Sequence, residues 1–79
     1  LITVFEKPNC AHCKTVKAQF TNLGVQFKAA PINDDVLALA RERGWMQAPI
    51  VVDSEHPELS FSGNDWLALE EMTKANGEN

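Results

Sequence analysis

The chain has only two cysteines, Cys10 and Cys13, among its 79 residues. A disulfide-dense secreted scaffold needs more, so that class is excluded. A bridge between these two would close a very small loop and add little stability by chain entropy. No second cysteine pair exists, and the two histidines, His12 and His56, stand far apart. Structural zinc wants four ligands, so no metal is expected, and a metal or iron–sulfur carrier is the weaker alternative. No apolar run approaches membrane-spanning length. No charged start followed by an apolar segment marks a secretory signal, so the cytoplasm is the expected location. The chain begins at Leu1, which leaves room for a leader or initiator methionine upstream. Repeats, low-complexity tracts and linkers are also missing, so residues 1–79 read as a single domain with a modest core.

Positive charge is in deficit. The net charge of −4 argues against a general nucleic-acid binder. Its distribution is uneven. Residues 1–30 carry Lys7, Lys14, Lys17 and Lys28 against Glu6 alone, a balance of +3. The rest carries three cations against ten carboxylates, a balance of −7. Both cysteines fall in the basic part. Either this is a solvated lysine face, or it is a local positive field that favours thiolate and steers an acidic partner.

What is present alternates between strand and helix patterns. Ile2-Thr3-Val4-Phe5 reads as a buried strand, broken by Lys7-Pro8-Asn9. Cys13, Val16, Phe20 and Leu23 recur at helical spacing, and Gly24 stops the helix. Val25, Phe27 and Ala29 alternate with polar residues as a strand does, up to Pro31. Asn33-Asp34-Asp35 caps a second helix carrying Val36, Leu39 and Ala40, with Arg41, Arg43 and Gly44 at its end. Pro49-Ile50-Val51-Val52 is a strand, Asp53 to Pro57 a turn, and Glu58 to Phe61 a hairpin partner. Ser62-Gly63-Asn64-Asp65 turns into a third helix marked by Trp66, Leu69 and Met72. The order β-α-β-α-β-β-α predicts an α/β fold. The first two strands should be parallel through a right-handed crossover and the last two antiparallel, in a four-stranded mixed sheet flanked by three helices.

The cysteine spacing now acquires a place. Cys10 falls at the start of the first helix, and Cys13 follows one turn later on the same face. Unpaired N–H groups and the positive helix end favour thiolate at Cys10, as would Lys7 and Lys14. A thiolate attacks disulfides, so Cys10 is the candidate nucleophile and Cys13 the resolving thiol. His12, as imidazolium, would lower the Cys10 pKa and stabilise the dithiol. Otherwise it is an exposed side chain without energetic role.

The stretches "VFEKPNCAHCKTVK", "WMQAPIVV" and "FSGNDWLALEEM" together resemble the thioredoxin-fold small redoxins, and among them the NrdH-type, which are glutaredoxin-like in sequence. The resemblance spans nearly the whole chain. It implies a dithiol–disulfide oxidoreductase that donates electrons to a class Ib ribonucleotide reductase. Thioredoxin reductase and NADPH would recharge it, with no bound cofactor beyond the Cys10–Cys13 disulfide. It implies a cis bond at Ala48-Pro49 facing the cysteines, whose backbone pairs with an extended substrate segment, and a monomeric protein. Ser62, Gly63, Asn64 and Asp65 match the remaining binding turn. The chain departs from the pattern in reading "CAHC" and in placing Asn64 where an aromatic is usual. The alternative is a glutathione-dependent glutaredoxin, with Lys7, Gly63, Asn64 and Asp65 holding glutathione. Elsewhere, Trp45 is expected to pack at a loop, Trp66 to lie in the core, and Asp53, Glu55 and Glu58 to be surface acids.

Overall fold

The computed structural model describes residues 1–77. Strands β1 (Ile2–Glu6), β2 (Lys28–Pro31), β3 (Ile50–Asp53) and β4 (Phe61–Ser62) alternate with helices α1 (Ala11–Asn22), α2 (Asp34–Arg43) and α3 (Trp66–Ala75). The sheet order is β2-β1-β3-β4. β1 and β2 pair parallel and β3 and β4 antiparallel, as their connections predict, and β1 and β3 pair antiparallel at the sheet's centre.

Side-chain alternation along the strands assigns the helices to faces. Ile2, Val4 and Val51 point to one face and pack with Val16 and Phe20 of α1 and Leu69 and Met72 of α3. Phe5, Ile50 and Val52 point to the other and meet Val36 and Ala40 of α2. Phe20, fully buried, stacks at a tilt on Phe27 with ring centroids 5.8 Å apart. Burying a side chain of that size contributes roughly 1.5–3 kcal/mol.

Helix ends follow local chemistry. The Asn33 carboxamide accepts the Val36 N–H, and Asp34 and Asp35 occupy the first turn of α2. At its other end Trp45 N–H reaches Ala40 O and Gly44 N–H reaches Arg41 O. α1 closes the same way, with Val25 N–H on Phe20 O and Gly24 N–H on Thr21 O. Trp45 packs at its loop against the α2 cluster, with the Arg43 guanidinium 5.5 Å from the ring centroid.

Four expectations need correction. Val25–Phe27 is not strand, because Val25 is used to close α1 and ladder pairing begins at Lys28, opposite Thr3. Glu58–Leu59 belongs to a 3₁₀ turn over Pro57–Leu59, and only Phe61–Ser62 pairs with β3. Proline sets the turn's first dihedral and favours this tight form. Trp66 is 43% exposed. It sits in the first turn of α3, where side chains lean back past the helix start, and the buried stripe begins at Leu69.

The fourth concerns Asp53, which is completely buried rather than a surface acid. It lies opposite Ile2 at the end of β3 and shares the face of Val51. Its carboxylate accepts from Asn76 Nδ2 at 2.8 Å and from the Glu55 N–H at 3.0 Å. His56 Nδ1 lies 3.4 Å away. Burial pushes this carboxyl's pKa up, but the Asn76 and Glu55 hydrogen bonds and nearby His56 outweigh it and hold the pKa below the usual value.

Candidate active site

β1 ends at Glu6, and the chain turns through Lys7-Pro8-Asn9 into α1. Asn9 takes a left-handed conformation, φ 57°, which asparagine tolerates. Cys10 is thereby set at the N-cap of α1, and its Sγ accepts the Cys13 N–H at 3.1 Å. No acidic residue occupies the first turn of α1, unlike α2. The positive end of this helix is therefore left to the sulfur.

Cys10 and Cys13 form a disulfide with Cα atoms 5.3 Å apart. Cys10 is the more exposed at 7%, against 1% for Cys13. The pair packs on Ala48, which precedes Pro49 through a cis bond, and on Ile32 at the end of β2. Cys10 borders two surface depressions. One, of about 360 Å³, runs past Lys7, Lys14, Lys17 and Pro31. The other, of about 260 Å³, is lined by Lys7, His12, Met46, Gln47 and Ala48.

The charge around the pair is narrower than the sequence suggests. Lys17 Nζ is engaged by Glu6 Oε1 at 2.7 Å. Lys7 and Lys14 make no ion pair among the described residues and both border Cys10. His12 is exposed in the first turn of α1, on the rim of the second depression.

The turn of Ser62, Gly63, Asn64 and Asp65 lies at one remove. Gly63 N–H donates to Pro49 O at 2.8 Å, tying it to the backbone beside the cysteines. Ser62 and Asp65 line a separate cleft with Trp45 and Glu71. The Asp65 carboxylate is occupied in capping α3, accepting the Ala68 N–H at 3.1 Å. Asn64 is exposed. Sequence reasoning passed over Met46 and Gln47, which complete the rim. Their position directly before Ala48-Pro49 is the signal that could have found them. Among the described residues, no three His, Cys, Asp or Glu side chains converge as metal ligands.

Chemically, the site offers a reversible disulfide with one sulfur near water, a helix end aimed at it, and two uncommitted cations nearby. The family model described as Glutaredoxin matches residues 2–56. Among solved structures, the glutaredoxin-like protein NrdH-redoxin from Escherichia coli superposes with a TM-score of 0.74. It is 23% identical, over 90% of this chain and 92% of that one. That protein is described as having a thioredoxin-like activity profile. The likeness establishes a shared thioredoxin-type fold, with the four-stranded mixed sheet and three helices described above. Comparison with curated proteins gave no match.

Proposed function

The chain belongs to the glutaredoxin family, and its CxxC disulfide makes it a thiol–disulfide oxidoreductase; from this premise we propose that it is an NrdH-type redoxin, one domain over residues 1–79, that reduces protein disulfides. The observation carrying this reading is the Cys13 N–H on Cys10 Sγ at an α1 start without acidic residues. In the reduced protein the same donor and helix end favour thiolate at Cys10.

The Cys10 thiolate attacks a target disulfide. A Cys10–target S–S bond forms as the target S–S bond breaks, and the departing target sulfur takes a proton. Cys13, deprotonated, then attacks Cys10 Sγ, releases the second target sulfur and restores the Cys10–Cys13 bond. The target gains two electrons and the redoxin loses two. Lys7, Lys14 and His12 supply positive charge near the attacking sulfur. The backbone at Gln47–Ala48 lies beside the pair, where an extended target segment would run.

The donor role to a class Ib ribonucleotide reductase, with recharging by thioredoxin reductase and NADPH, is supported by the motif resemblance. The thioredoxin-like profile stated for the Escherichia coli structure also supports it. A second reading, recharging by glutathione, is favoured by one observation: among the described residues Lys7 and Lys14 make no ion pair, and beside Cys10 they could take a tripeptide's carboxylates.

One assay separates them. The disulfide form is incubated with NADPH and thioredoxin reductase, and separately with glutathione, NADPH and glutathione reductase. Rapid thiol recovery only in the first supports the NrdH-type reading. Recovery only in the second replaces it with the glutaredoxin reading.

A further inference from the structure

The chain has two methionines, and their settings are opposite. Met72 is fully buried in the core, whereas Met46 is 95% exposed. A single exposed apolar side chain is ordinary on a protein surface; Met46 is set apart by its place beside the cysteine pair. Met46 lies on the rim of the depression that holds Cys10 and His12. It equally edges a shallow groove of about 160 Å³ whose lining includes Ile32, Leu37 and Trp45. The two hollows share Lys7, Met46, Gln47 and Ala48 as lining, so they adjoin at Met46. A protein segment laid over Cys10 meets Met46 before it reaches the groove. The occupant that fits is an apolar side chain flanking the target cysteine.

The thioether is also the accessible sulfur of the disulfide form. In the disulfide form neither cysteine offers a thiolate to an oxidant. Resting on the redoxin reading above, we propose that Met46 is a modification site, where oxidation by a hydroperoxide reversibly weakens the hold on protein disulfides. The peroxide O–O bond breaks and an S–O bond forms. The sulfur is oxidised by two electrons, and the peroxide leaves as water or an alcohol. The product sulfoxide is polar and replaces an apolar rim with a strong hydrogen-bond acceptor, which an apolar side chain cannot satisfy. A methionine sulfoxide reductase reverses the change, consuming two thiols and yielding the thioether, a disulfide and water.

The test treats the disulfide-form protein with hydrogen peroxide, removes the peroxide and reduces the cysteines with dithiothreitol. Peptide mass mapping should find oxygen added at Met46, at the rate of free methionine, with Met72 untouched. The kcat/KM for insulin disulfides should fall roughly fivefold, the scale of one lost apolar contact. Turnover of hydroxyethyl disulfide, too small to reach the groove, should not change. Methionine sulfoxide reductase should restore the insulin activity, and Met46→Leu should show the same insulin activity before and after peroxide. Oxidation of Met72 as fast as Met46, complete Met46 oxidation without loss of insulin activity, or an equal loss in Met46→Leu would overturn the proposal. Untreated protein that leaves insulin intact would instead sink the redoxin reading, and the docking consequence with it.

Discussion

The backbone N–H of Cys13 donates to Cys10 Sγ at 3.1 Å, so the helix that carries the second sulfur also holds the first. The two cysteines are thereby unequal. Cys10 sits outside the helix as its cap and borders water, while Cys13 is sealed inside the first turn.

That inequality predicts different fates for the two serine variants. Cys10→Ser should reduce protein disulfides no faster than a blank. Cys13→Ser should still attack and then stall, accumulating a mixed disulfide visible by mass spectrometry without reductant. If Cys13→Ser retains full turnover, the resolving role given to Cys13 is wrong.

His12 stands in the same turn, exposed and on the rim shared with Cys10. A protonated imidazole there would stabilise the reduced, thiolate-bearing state over the disulfide. His12→Ala should therefore make the disulfide harder to reduce, moving the equilibrium roughly three- to tenfold, or about 15–30 mV. Equilibration in graded glutathione buffers measures this, and an unmoved midpoint would remove His12 from the site.

Asp53 carries a pH prediction. Its folded pKa lies below the unfolded value of about 3.9. Its stabilising contribution is therefore complete above that value and is lost as pH falls through the folded pKa. Melting temperatures measured from pH 7 downward should drop below about pH 4. Asp53→Asn should be less stable at neutral pH by roughly 1–3 kcal/mol, because Asn76 and the Glu55 N–H lose a charged acceptor. Its melting temperature should also depend less on acid. Parallel pH profiles for the two proteins would contradict this assignment.

Gly63 and Gly24 both adopt left-handed backbone, φ 75° and 74°, and differ in their neighbours. A Cβ on Gly24 meets nothing within 4 Å, whereas one on Gly63 meets Gln47 Oε1 at 2.9 Å. Each alanine variant should lose about 1–2 kcal/mol in denaturant melts from backbone strain. Only Gly63→Ala should also displace Gln47 and lower protein-disulfide reduction severalfold. Equal activity in the two variants would show that Gln47 does not shape the binding rim.

Features set by near neighbours were legible in the sequence. The Asn33 cap, the Gly44 stop and the three-residue spacing of the cysteines each depend on contacts within a turn or so, and the structure repeats them. The misreadings arose where distant segments decide. Asp53 looks like a turn acid until Asn76, 23 positions later, supplies its partner. Lys17 adds to a basic face by count, yet Glu6 on β1 claims it. Val25 alternates like a strand residue, but its amide is committed to closing α1. Met46 and Gln47 lie inside the "WMQAPIVV" stretch, but nothing local marks them as part of a rim. They matter because the chain before Pro49 passes beside α1's first turn.

The sheet's two borders have a consequence for how copies of the chain meet. β4 is only two residues long, and β2, the opposite border, runs from exposed Lys28 to exposed Pro31. A stub, a charge and an imino acid give a neighbouring copy little backbone to zip onto. The molecule can keep one flank of its cysteine pair open without inviting its own kind to polymerise along the strands.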